Sequence, residues 1–143
     1  MSRRAGRDER GSTTLELVVW APGLLLLIGL LIVAGRVNSA NAAVEQAAVD
    51  AARTASSART AAAAGLAQAG AGRTLAAQGL QCTTTTVALD TSGFATPPGR
   101  SATVTATVTC PVRLSDLSIP GLPGTRTVSH TATSSLDTFR ERS

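Results

Sequence analysis

Nineteen consecutive residues without a charge, residues 17–35 (LVVWAPGLLLLIGLLIVAG), constrain this chain more than any other feature. As a helix they span about 28 Å at roughly 1.5 Å per residue, close to the roughly 30 Å hydrocarbon core of a bilayer. A helix on the surface of a globular protein keeps a polar face, and this run is apolar all round. It reads as one transmembrane helix. Pro22 and Gly23 lie inside it. In water such a proline costs about 3 kcal/mol, whereas in a membrane it is tolerated where neighbouring helices or local adjustments satisfy the freed carbonyl.

Charge gives the orientation. Every basic residue of the chain is arginine, and four of them (Arg3, Arg4, Arg7 and Arg10) precede the run. An excess of arginine beside a membrane helix marks the cytoplasmic side, so the N-terminus is expected inside and the rest of the chain outside. Arg36, just past the run, weakens that contrast without reversing it. From Ser12 onward nine arginines face seven acids, so the high isoelectric point belongs mostly to the short head. Aromatic residues are limited to Trp20, Phe94 and Phe139. A nucleic-acid surface needs a basic stripe, so lipid is an expected partner and nucleic acid is not.

A rival reading of the same segment is a cleaved secretory signal, because Ala40-Asn41-Ala42 is an A-x-A-like site after an apolar run and a basic head. The run is longer than the usual h-region of roughly 7–15 residues, and Arg36 falls between the run and the site. Both points favour a retained anchor.

The junction before the run is Arg10-Gly-Ser-Thr-Thr-Leu-Glu16. A carboxylate at the mouth of a membrane helix is expensive unless it is paired. One reading is a capping box, with Thr13 as N-cap and Glu16 three residues on. Taken whole, the stretch resembles a type IV prepilin-like leader: basic segment, Gly, small residue, Glu five places after the Gly, then the apolar helix. That resemblance implies cutting by a prepilin peptidase between Gly11 and Ser12. Ser12 then becomes the N-terminus, the anchor stays on the product, and Glu16 can pair with the freed amine of Ser12 on a neighbouring subunit.

After the anchor comes an alanine-rich stretch, VNSANAAVEQAAVDAARTA over residues 37–55, and then a Thr/Val-rich segment with two cysteines. With the leader, this is similar to the TadE-like family, the minor pilin-like (pseudopilin) proteins of the Tad/Flp pilus system. The likeness spans residues 10–55 and extends to the tail only in style. Where that family usually carries Glu-Phe, Leu17 follows Glu16 here. The resemblance implies a non-catalytic structural protein whose partners are other pilin or pseudopilin subunits, the Tad assembly machinery and a prepilin peptidase.

The remainder reads as an α+β arrangement. Residues 1–11 form the cytoplasmic leader and 12–57 one long helix, the anchor continuing into a stalk. Alanine is the best helix former and small residues let helices approach closely, so the stalk reads either as a soluble alanine-rich rod or, the favoured reading given so few charges on any face, as packing within a bundle of subunits. Ser56-Ser57 is a break. A second helix is expected over 58–80, with Leu66 and Leu75 on its apolar side and four glycines weakening it. Residues 81–143 form a small antiparallel sheet. Residues 82–90 and 101–110 are Thr/Val-rich with period-two patterning, joined by a Gly/Pro loop, and 125–136 is a third strand. Residues 111–124 carry turn signals and a small patch of Leu114, Leu117, Ile119 and Leu122.

Cys82 and Cys110 fall at opposite ends of the first hairpin. A disulfide between them is permitted outside the cytoplasm and puts Asp90 opposite Ala102. In that register Val87 and Leu89 face away from Val104 and Val108, a conflict that a β-bulge or cover on both faces would resolve. The alternatives are free buried thiols or a metal site; two cysteines and one histidine cannot close a tetrahedral zinc site, so the reading favours the disulfide. No catalytic constellation and no cofactor site is visible; His130, the single histidine, sits in a polar strand as a surface or edge residue. Two functions remain: a TadE-like assembly protein, or a disulfide-stapled binding module of the bacterial envelope, anchored or secreted.

Overall fold

A computed structural model describes residues 9–58, 60, 62–116 and 123–139, with side chains from residue 17 onward. Its order is α1 (Glu9–Ala58), α2 (Ala63–Ala77), β1 (Thr86–Asp90), a short 3-10 turn (Ser92–Ala95), β2 (Ala102–Arg113) and β3 (Thr125–Leu136). This is the α+β order read from the sequence. The chain divides into two compact units, Met1–Gly35 and Arg36–Ser143.

In the second unit α1 carries a stripe of small residues, Ala40, Val44, Ala47, Ala48, Ala51 and Ala55, all buried. Spacings of three and four put them on one helix face. Opposite lie Asn38, Glu45, Gln46 and Arg53, all exposed. The helix ends where Ser56 and Ser57 both donate their hydroxyls to the Arg53 carbonyl, at 2.8 and 2.9 Å. Such local bonds compete with the helical ladder.

The second helix is shorter than expected. It buries Ala63, Ala67, Gly70, Ala71 and Leu75, while Leu66 is half exposed. Nine positions at about 100° each place Leu66 and Leu75 on opposite faces, so they never shared an apolar side. The Thr74 hydroxyl donates to Asp50 Oδ2 at 2.7 Å, tying α2 to α1. At the C-terminus, Gly79 N–H donates to Ala76 C=O at 3.0 Å and Leu80 N–H to Leu75 C=O at 3.0 Å. Gly79 supplies the left-handed residue (φ 70°) that this Schellman closure needs.

The three strands pair antiparallel in the order β1-β2-β3. β2 alternates strictly: Val104, Ala106, Val108, Cys110 and Val112 point inward and are buried. They share one core with Val128 of β3 and the small residues of α1 and α2. The opposite face is a hydroxyl ladder, with Thr105 to Thr133 at 3.2 Å, Thr107 to Thr131 at 2.9 Å and Thr109 to Ser129 at 3.0 Å. His130 belongs to edge strand β3, opposite Val108 on the inward side, and is half-buried.

The β1–β2 register differs from the expected one. Asp90 pairs with Thr105 rather than Ala102, Val87 with Val108, and Leu89 with Ala106. Shifting by an odd number of residues moves a strand's apolar set to the other face, so Val87 and Leu89 join Val104 and Val108. Cys82 bridges to Val112, not Cys110. From Cys82 to Thr86 the chain advances four residues while the partner advances three, from Val112 to Thr109. This extra residue, the bulge-like remedy anticipated above, makes the disulfide and the apolar register compatible.

β2 also runs past its expected end, through Pro111 to Arg113. Thr83 N–H donates to the Pro111 carbonyl at 2.9 Å, beyond the end of β1. The missing proline N–H faces that same side, so the β2–β3 ladder loses no bond. The expected patch residues Leu117, Ile119 and Leu122 lie outside the described residues; Leu114 packs against the core.

The 3-10 turn begins at an Asx-type contact: Ser92 N–H donates to Asp90 Oδ1 at 3.0 Å. That bond holds the exposed Asp90 carboxyl below its ordinary range. Within the turn, a Cβ on Gly93 would overlap the Thr103 carbonyl oxygen. Gly93→Ala is therefore expected to cost about 1–3 kcal/mol through forced backbone movement, read as a lower urea midpoint by far-UV circular dichroism.

Candidate anchoring and assembly site

In the first unit, α1 presents its apolar side chains outward. Trp20 is 75% exposed and Leu26 76%, and Leu17, Leu24, Leu25, Leu30 and Leu31 are exposed alike. Soluble monomers do not carry apolar surface of this extent. It is one apolar N-terminal helix, long enough to cross a membrane. Pro22 sits inside it, where its ring leaves the Val18 carbonyl without the usual donor. In a bilayer that carbonyl must be met by another protein group or by local adjustment.

Gly11, Ser12 and Glu16 fall in the opening turns of α1, just ahead of the apolar run. Since α1 begins at Glu9, Thr13 is inside the helix, which removes the capping-box reading with Thr13 as N-cap. The A-x-A-like site at residues 40–42 also lies in mid-helix, and Ala40 and Ala43 are each only 4% exposed. The stripe expected to pack against other subunits is covered by this chain's own α2 and sheet, which leaves the polar face of the stalk outward.

The cysteines are joined, Cys82 to Cys110, with Cα atoms 5.3 Å apart. Cys110 is fully buried and Cys82 partly so. Among the described residues no group of three or more His, Cys, Asp or Glu is placed to hold a metal ion.

One contact had no sequence signal. Gln68 of α2 lies along the outer edge of β1, its Nε2 donating to Thr85 C=O and its Oε1 accepting the Val87 N–H at 3.1 Å. A glutamine on an alanine-rich helix gives no hint of a strand seventeen residues later.

Against known families, residues 11–53 match the model of the TadE-like protein family. This segment is similar to that family. It begins at Gly11, contains Glu16 and the whole apolar run, and ends in the stalk. The helix α2 and the sheet lie outside the TadE-like segment. No curated protein and no solved structure matches the chain.

Proposed function

We propose that this protein is a membrane-anchored, pilin-like structural subunit that takes part in Tad/Flp pilus assembly or secretion. The supporting observation is that the TadE-like match runs from Gly11 through the anchor into the stalk. On this reading a prepilin peptidase cuts between Gly11 and Ser12 on the cytoplasmic side. The arginine head stays inside, and the disulfide-bonded unit sits outside, where oxidation is permitted. Processing requires the first turn of α1 to open, which is a small demand because helix ends fray. The released subunit keeps its anchor and can leave the bilayer laterally into an assembly. Glu16 then meets the new amine of Ser12 on a neighbouring subunit, so two charges unwelcome in lipid neutralise each other. The burial of Ala40 and Ala43 supports a retained anchor over a cleaved signal.

The test is the intact mass of the detergent-extracted native protein. The expected chain begins at Ser12, and a Gly11→Ala variant keeps its leader. A native chain that still begins at Met1 or Arg3 removes the processing step. A soluble chain that begins at Ala43 favours the alternative, a secreted binding module.

A further inference from the structure

The two edges of the sheet differ. On the β1 edge Gln68 stands in for a neighbouring strand, occupying the Thr85 carbonyl and the Val87 N–H. The β3 edge is twelve residues long and exposed along its outward positions. Backbone N–H and C=O of one residue point to the same side of an antiparallel strand, and neighbours alternate. The Pro111 carbonyl faces β1, since it accepts from Thr83. Cys110 and Val112 therefore face β3, and their partners Val128 and Arg126 face back. Thr127, Ser129, Thr131, Thr133 and Ser135 thus direct their backbone groups away from the sheet. Among the described residues nothing hydrogen-bonds to those outward groups.

Proteins blunt free edges with proline, lysine, bulges or cover. β3 has no proline, lysine or acid, and its charged or titratable residues are Arg126 and His130. We propose that this edge is the interface between two copies of the chain, which pair β3 to β3 antiparallel about Thr131 into one six-stranded sheet. A two-fold contact brings the same patch of each copy together. Centred on Thr131, it sets Thr131 against itself, Ser129 against Thr133 and Thr127 against Ser135. Hydroxyl then meets hydroxyl, as in the ladder that already joins β2 to β3 at 2.9–3.2 Å. On the inward face His130 lies opposite Ala132 and Arg126 opposite Leu136, so no like charges meet across the pair. The interface follows from the sheet alone and does not depend on the pilus reading.

The test uses the full chain, purified in detergent micelles and also in native membranes, with a short bis-maleimide cross-linker. Thr131→Cys is expected to give a covalent homodimer, a doubling of mass. Thr86→Cys, on the edge that Gln68 covers, is expected to stay monomeric. Adding Ser129→Pro to Thr131→Cys removes one outward N–H and is expected to abolish the dimer while Cys82–Cys110 remains oxidised. Monomer from Thr131→Cys in both settings overturns the proposal, as does equal cross-linking from the two edges. A cross-link in membranes to a protein of different mass, with none between copies in micelles, assigns the edge to another partner and overturns it too. Should Ser129→Pro disturb folding, the contrast between Thr131→Cys and Thr86→Cys decides by itself.

Discussion

Replacing Cys82 and Cys110 together by alanine is expected to lower the stability of the second unit by about 3–4 kcal/mol, the loop-closure contribution of a cross-link of this length in the chain-entropy model. The bond spans 28 residues. Its weight follows from the core around it. The largest fully buried side chains are Leu75, Val44, Val104, Val108, Val112 and Cys110, and most of the other buried residues are alanines. A core without a buried aromatic gains little from each side chain, since apolar burial contributes roughly 25 cal/mol per Å². Whole domains are stable by only about 5–15 kcal/mol, so one cross-link is a large share. The single tryptophan, Trp20, lies in the first unit and does not report on this sheet. The measurement is amide hydrogen exchange in β2, where Val104, Val108 and Val112 should lose protection in the variant and in the reduced wild type. Unchanged exchange after reduction would show that the alanine core suffices.

Glu16→Ala is expected to abolish assembly while leaving membrane insertion and the second unit intact. An unpaired carboxylate at the mouth of the anchor is a cost, so removing it alone eases insertion. Only if Glu16 is paired in the assembled state does its loss harm anything. Removing one partner of a desolvated pair then costs about 3–5 kcal/mol, because the other charge is left uncompensated. At roughly 1.4 kcal/mol per tenfold, subunit association weakens by about a hundredfold to a few thousandfold. Co-purification of the variant with the subunits of the proposed assembly measures this, with membrane fractionation as the control. Undiminished co-purification of Glu16→Ala would remove the pairing role. Glu16→Gln separates charge from shape, and it should fail nearly as badly as alanine.

The first unit was legible because each of its signals is local. A nineteen-residue uncharged run needs no partner to declare a helix that is apolar all round and long enough to cross a membrane. The cysteine pairing was legible because two thiols at opposite ends of one hairpin leave few options. Other elements resisted for physical reasons. The period-two pattern of residues 82–90 holds over a register shift of any size, and only the neighbouring faces choose among registers. Leu66 and Leu75 looked alike in composition, and helical geometry separated them by half a turn. The stalk's alanines were compatible with any close neighbour, and the chain itself turned out to supply it.

By itself, then, the sequence determined a lone apolar helix with an arginine head, a long helix preceding the strands, and a disulfide-bonded Thr/Val sheet. These follow from hydrophobicity, propensity and short spacings, which act along the chain. Tertiary structure alone decided that Val87 meets Val108, that one extra residue after Cys82 reconciles the disulfide with that register, and that the alanine stripe is buried internally. It also decided that Gln68 closes one edge of the sheet while β3 leaves the other open. Those choices depend on which surfaces are covered once distant segments meet, and small side chains of similar size place almost no constraint on that in advance.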